Sequence, residues 1–279
     1  MLRLAVFNHV RYLMQKILPK DLTSYDLLKT AAVILMIIDH VGAYYMPDII
    51  WMRLAGRLCV PIWFFLVGYA HSRDTGLYLW VAALVLIVSD FIAGMNIFPL
   101  NILVTILIVR FVLDFYMKIV LRHFLLFWVG ALLLLFFAPP TLYIVDYGTQ
   151  GLILAVFGYL VRHYQDDARK RASVIFPYLV FSALVYTGIQ AVILTFLPME
   201  VLFLLAGNVL VLLMLSEFMP TVFARPSHVL LRPFAWLLQM MGRHTLLIYV
   251  GHLLLIKAVG LWLFPQSFQF LHWHYSPLE

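Results

Sequence analysis

Asp39 and His40 stand side by side inside one long apolar run, and Arg53 and Arg57 lie one helical turn apart inside the next. An imidazole in such a setting can act as a general base or carry an acyl group. A guanidinium beside it can hold a carboxylate or a developing oxyanion. A charge facing lipid is costly, so intramembrane ionisable residues normally line a cavity or meet a partner. Asp90, Arg110, Asp114, His252 and Lys257 share that position within apolar segments. At a rise of about 1.5 Å per residue, His40 lies about 18 Å from the start of its run and Arg57 about 10 Å from the start of the next. Both levels agree across a hydrocarbon core about 30 Å thick. Asp90 comes out at a similar depth, and Asn101 and His252 are placed to line the same cavity.

The same residues also fit a plainer reading, in which buried ion pairs hold helices together and do nothing else. Arg110 and Asp114, four residues apart near one helix end, read first as a local ion pair. His71, His123, His163, His228 and His244 sit among basic residues at segment boundaries and read as solvated edges. His272 and His274 form a pair without a third ligand, so no metal is expected. Cys59 is the single cysteine, which excludes an intramolecular disulfide.

The elements that position these groups follow from composition. Of 279 residues, 65% are hydrophobic and 11% charged, a balance that needs lipid as solvent. Apolar runs predict about nine transmembrane helices, at roughly 28–46, 50–70, 76–93, 97–117, 123–139, 150–162, 174–196, 200–219 and 243–264. The sixth is short unless it begins near Tyr143, which would bring Asp146 and Tyr147 to the outer rim. The expected fold is an all-α polytopic membrane protein. Its parts are an interfacial amphipathic helix at 1–20, a transmembrane domain at 21–265 and an extracytoplasmic tail at 266–279. In the first part Val6, Phe7, Val10, Leu13, Met14 and Ile17 share one face, and Arg3, Arg11 and Lys16 rule out a signal peptide. A second interfacial segment is expected at 227–241. The net charge of +6 is spread between apolar segments and forms no stripe for nucleic acid. Basic residues fall in alternate loops: Arg73; Lys118 and Arg122; Arg162, Arg169, Lys170 and Arg171; Arg225 and Arg232. That alternation places the N-terminus in the cytoplasm and the C-terminus outside the bacterial cytoplasmic membrane.

The stretch from Asp26 and Lys29 through Asp39-His40-Val41-Gly42 resembles the first-helix motif of TraX-type proteins. Ala55-Gly56-Arg57 with Pro61 resembles that family's second helix, Asn101 its fourth, Tyr147-Gly148 with Gly151 its sixth, and Tyr249-Val250-Gly251-His252 its last. The resemblance implies acetyl transfer, since TraX-type proteins are required for N-terminal acetylation of conjugative pilins. It also implies a distant relation to transmembrane acyltransferases that use an intramembrane histidine and cytoplasmic acetyl-CoA. On that basis His40, Asp39 and Arg57 are the catalytic candidates, and Lys29, Arg53, Asp90, Asn101, Tyr147 and His252 the binding candidates. Arg53 and the His- and Trp-rich tail depart from the pattern and leave the acceptor open between a pilin-like amine and a glycan hydroxyl.

Spacing agrees with an acyl donor. Lys29 and His40 lie on one helical face about 16 Å apart, a gap that an extended pantetheine arm covers. Arg73, Arg110, Lys118 and Arg122 add positive charge for the CoA phosphates at the cytoplasmic mouth. A proton-coupled transporter and a purely structural scaffold are the other two classes, although no repeated halves with paired broken helices are visible.

Overall fold

A computed structural model describes residues 21–223, 232–264, 268 and 270–272. The expected interfacial helix at 1–20, Arg225, His228, and Trp273 and His274 of the tail lie outside the described residues.

The described residues are 77% helical. Helix α1 (Ser24–Tyr44) starts earlier than the apolar run because Thr23 and Asp26 form a capping box. Helices α2 (Ile50–Arg57) and α3 (Cys59–Tyr69) come next, and then α4 (Leu77–Ile92), α5 (Ile102–Val120), α6 (Phe124–Phe136) and the short α7 (Ala138–Leu142). Helix α8 (Gly148–His163) leads into α9 (Ala168–Lys170), a π turn (Arg171–Ile175) and α10 (Phe176–Ile193). Helices α11 (Pro198–Ser216), α12 (Arg232–Arg243) and α13 (Thr245–Leu263) complete the order. Strands β1 (Leu22–Thr23) and β2 (Val222–Phe223) pair antiparallel, Leu22 opposite Phe223.

Each of the nine expected segments holds a helix. Five are long and apolar enough to cross a membrane: Ser24–Tyr44, Ile50–Tyr69, Ala168–Ile193, Pro198–Ser216 and Thr245–Leu263. Helices α4 and α6 are apolar but shorter. Helix α5 carries Arg110, Asp114 and Lys118, and α8 has 16 residues. The surface segment expected at 227–241 contains α12, whose exposed Phe234 and Trp236 suit an interface.

Helix α8 is the centre of the bundle, buried on nearly all sides, as a helix apolar all round should be. Its backbone touches that of α3: a Cβ on Gly68 would meet the Ala155 carbonyl oxygen at 1.8 Å, and one on Gly158 the Phe65 carbonyl oxygen at 2.2 Å. Large apolar side chains such as Leu77, Phe124, Leu210 and Trp262 cover the outside, as lipid solvation requires.

The break between α2 and α3 has a local cause. Pro61 has no N–H to offer the carbonyl four residues back, which belongs to Arg57. Tyr186 on α10 donates to that carbonyl at 2.7 Å instead. The interruption falls where α2 passes α1, and Gly56 permits the approach, since a Cβ there would meet Asp39 Cβ at 2.3 Å.

Candidate functional site

A cavity of about 1700 Å³ runs along the inside of the bundle. Its lining residues advance in order on every helix that borders it. Tyr25 and Lys29 on α1, His71 after α3, Arg110 on α5 and Arg162 on α8 belong to the mouth. Asp39 and His40, Cys59, Ile102, Asp146, Tyr147 and Tyr249 belong to the far end. Lys29 and His40 therefore line one continuous space, as their spacing predicts.

At the far end two histidines meet. His252 Nδ1 lies 2.7 Å from the Ile248 carbonyl oxygen, and a carbonyl only accepts, so Nδ1 carries the proton. Neutral His252 then offers Nε2 as an acceptor, 2.7 Å from His40 Nδ1. His40 Nδ1 donates to it, and the lone pair of neutral His40 sits on Nε2. The first contact stays within α13, one turn apart, and the second joins α13 to α1 across 212 positions. Contrary to the sequence expectation, His252 stands behind His40 and does not itself line the cavity.

Asp39 is held by two arginines. Arg57 Nη2 donates to its Oδ2 at 3.0 Å. Arg53 Nη1 is 2.9 Å from Oδ1, but its aligned hydrogen bond goes to the Asp39 carbonyl, also at 2.9 Å. Oδ1 thus has charge compensation without a hydrogen-bond donor. Arg57 Nη1 donates to the Tyr147 hydroxyl at 2.7 Å and reaches Gln190 Oε1 at 3.5 Å. Because that hydroxyl accepts from Arg57, its own proton is available elsewhere, and Tyr147 lines the cavity.

Several sequence expectations change here. Arg57 and Arg53 stand behind the cavity wall, tied to Asp39, and Tyr147 is the group that reaches the space in front of them. Asp39 meets these arginines and not the imidazole of His40, since neighbouring helix residues point about 100° apart. Asp90 does not join the His40 group. It pairs with Lys257 at 2.6 Å, and Lys257 donates to Ser89 at 2.7 Å. Asn101 caps α5, accepting from the Leu103 N–H at 3.1 Å and donating to the Ala83 carbonyl at 3.1 Å, outside the cavity lining. Asp146 and Tyr147 line the far end of the cavity in the turn before α8, which begins at Gly148 and not near Tyr143. Tyr143 and Ile144 stay exposed, and the chain turns in at Val145.

The mouth also differs from the expectation. Arg110 and Asp114 do not pair: Asp114 receives Arg73 Nε at 3.1 Å, and Arg110 donates to the Asp74 carbonyl. Arg73 further caps α3 through the Val67, Gly68 and Ala70 carbonyls, and Arg162 does so through Tyr69 and Ala70. Lys118 and Arg122 are exposed and do not line the cavity. Lys29 does, and its amine has no hydrogen bond or ion pair among the described residues. His71, in the loop at the mouth, is held below the usual imidazole range by burial and by Arg162 and Arg73.

Three groups escaped the sequence reading as members of the site. Tyr186, Gln190 and Gln150 form a buried polar chain leading to Arg57, with Gln190 donating to Gln150 at 3.3 Å. Buried glutamines in an apolar helix mark such a network in sequence.

A bundle of apolar helices around an internal cavity, with His40 at its inner end backed by His252, defines a polytopic helical membrane protein with an internal site. A family model described as TraX protein matches residues 24–260. The chain belongs to the TraX family. An uncharacterized protein of Rickettsia prowazekii (strain Madrid E) is 28% identical over 156 residues, covering 55% of this chain and 62% of that protein. The chain thus matches somewhat under two thirds of the length of this curated relative. No solved structure matches the chain.

Proposed function

We propose that this protein is an acetyltransferase that takes the acetyl group of acetyl-CoA at the mouth of the cavity and passes it to an acceptor at the His40 end. The observation that carries the reading is the His40–His252–Ile248 chain, which leaves His40 Nε2 unprotonated in a space shared with Lys29. Family membership supports the same chemistry, because TraX proteins are linked to F-pilin acetylation. The N-terminal amine of a pilin-like protein is the acceptor this favours; a glycan hydroxyl would use the same groups.

Acetyl-CoA lies with its phosphates toward Lys29 and Arg110 and its thioester toward His40. The acceptor heteroatom attacks the acetyl carbonyl carbon while His40 Nε2 takes its proton. The Tyr147 hydroxyl, polarised by Arg57, donates to the oxyanion that forms. The C–S bond then breaks, and His40 returns the proton to the departing thiolate, which leaves as CoA–SH. His252 accepts from His40 Nδ1 throughout and steadies the imidazolium. Asp39 fixes Arg57 and, through it, Tyr147. The alternation of basic loops supports a cytoplasmic N-terminus and mouth, with the C-terminus outside the bacterial cytoplasmic membrane.

Free-thiol release from acetyl-CoA by detergent-solubilised protein, with acceptor present, tests the reading. His40→Ala should lower the rate about a hundredfold or more, equivalent to roughly 3 kcal/mol of barrier, with thermal stability and acetyl-CoA binding retained. A stable His40→Ala protein with normal turnover would exclude this mechanism. The buried Asp90–Lys257 pair favours a second reading, proton-coupled transport, which predicts solute uptake without thiol release.

A further inference from the structure

An amine acceptor sets a proton problem that one histidine does not solve. An α-amino group has an ordinary pKa of about 7.7–8.0, so it arrives largely as ammonium. Acetylation converts R–NH3+ and acetyl-CoA into the amide, CoA–SH and one free proton. Two protons leave nitrogen: the first to expose its lone pair, the second as the C–N bond forms. His40 accepts the second and returns it to the departing thiolate. The first needs another base. A hydroxyl acceptor has no such extra proton.

Asp146 stands at the far end of the cavity with His40. Its backbone is clamped: its N–H donates to the Leu100 carbonyl at 2.8 Å, the Thr105 hydroxyl donates to its carbonyl at 2.5 Å, and Tyr147 next to it holds a φ of 65°. Asp26 and Asp39, which also line the cavity, are ion-paired to Arg243 and to Arg53 and Arg57. Asp146 has no ion pair among the described residues. The groups that face it electrostatically are Arg57 on α2, already committed to Asp39 and Tyr147, Asp90 on α4, Tyr44 on α1, Tyr249 on α13 and the adjoining Tyr147. The Ile102 N–H at the start of α5 also reaches its carboxyl group. Tyr44 and Tyr249 flank His40, with ring centroids 6.4 Å and 6.0 Å from the imidazole. Asp146 is thus a half-buried residue that lines the far end of the cavity with His40 and forms no ion pair among the described residues.

We propose that Asp146 receives the acceptor ammonium and takes its first proton, which makes it the residue that fits the site to an amine. The proton then passes to water in the cavity, and the free amine attacks as described above. This inference rests on the acetyl-transfer reading and assigns a second base to the same site.

Two acceptors separate the possibilities: a short peptide with a free N-terminus, and its analogue with a hydroxyl in place of the amine. Thiol release is followed from about pH 6 to 9 with the full chain in detergent. With Asp146→Asn, kcat/KM for the amine peptide should fall about tenfold or more near pH 7, and the deficit should shrink toward pH 9 as free amine appears in solution. The hydroxyl analogue should be unaffected, and Asp146→Glu should recover part of the amine activity. Equal losses with both acceptors, or a loss independent of pH, would reduce Asp146 to a cap on α5 and overturn the inference. The wild type supplies a test that needs no variant. Its amine reaction should hold up below the pKa of the peptide amine, and a decline of about tenfold per pH unit there would mean that only free amine is used. Wild-type turnover with either acceptor upholds acetyl transfer whatever Asp146 does. Absence of turnover with both removes the acetyl-transfer reading and this inference together.

Discussion

At the far end of the cavity, His40, His252 and the Ile248 carbonyl are joined by contacts of 2.7 Å, and Asp39 is clasped by Arg53 and Arg57. At the mouth the arginines behave differently: Arg73 and Arg162 point their guanidinium groups at the carbonyls that end α3. The far end sets side chains of α1 against side chains of α2 and α13, helices that meet only in the folded bundle. The mouth uses charge chiefly to finish a helix, and the Lys29 amine there has no hydrogen bond or ion pair among the described residues. Groups locked before a ligand arrives suit a chemical step, whereas a loosely held cation suits capture of a charged donor.

The largest effect that would break this contrast is on stability. Asp39→Ala leaves two buried guanidinium groups without their carboxylate, which should destabilise the protein by roughly 3–5 kcal/mol. A large fall in melting temperature in detergent is expected. An unchanged transition would mean that the cluster is solvated and not a fixed wall of the site.

His252→Ala comes next. It removes the acceptor of His40 Nδ1–H, and should lower kcat by about tenfold to a hundredfold while acetyl-CoA binding stays the same. His252→Gln keeps an oxygen that can accept from His40 and should restore part of the rate. Equal rates for the alanine and glutamine variants would show that His252 only packs.

The smallest effects belong to the mouth. Lys29→Ala should weaken acetyl-CoA binding by up to about tenfold at low salt, leave kcat in place, and lose its effect as salt rises. In sealed inside-out vesicles, acetyl-CoA added from outside the vesicle should support transfer. Lys118→Ala and Arg122→Ala, exposed and away from the cavity, should change affinity by less than about twofold. Comparable losses at Lys118 and Lys29 would extend the phosphate site beyond the cavity and blur the distinction between its two ends.

The sequence by itself determined the solvent, the helical class and the approximate positions of the main helices. A run of apolar residues has a transfer free energy that does not depend on its neighbours. It also marked Asp39, His40 and Arg57 as residues that could not face lipid, and set Lys29 and His40 on one helical face at a ligand-sized distance. The interruption after Arg57 was not expected, since 50–70 reads as one apolar run, although Pro61 four residues downstream supplies its cause. Only the tertiary structure decided who meets whom. Arg110 and Asp114 had ideal spacing for a pair, yet Asp114 takes Arg73 and Arg110 turns to the Asp74 carbonyl. Asp90 shared the depth of His40, yet α13 brings Lys257 to it. His40 found its partner 212 positions away. The physical reason is that hydropathy and helical spacing fix the depth of a side chain and its angle on its own helix. Pairing depends on the rotation, tilt and proximity of two helices, which the packing of the whole bundle sets, at contacts such as Gly56 on Asp39 and Gly68 on Ala155.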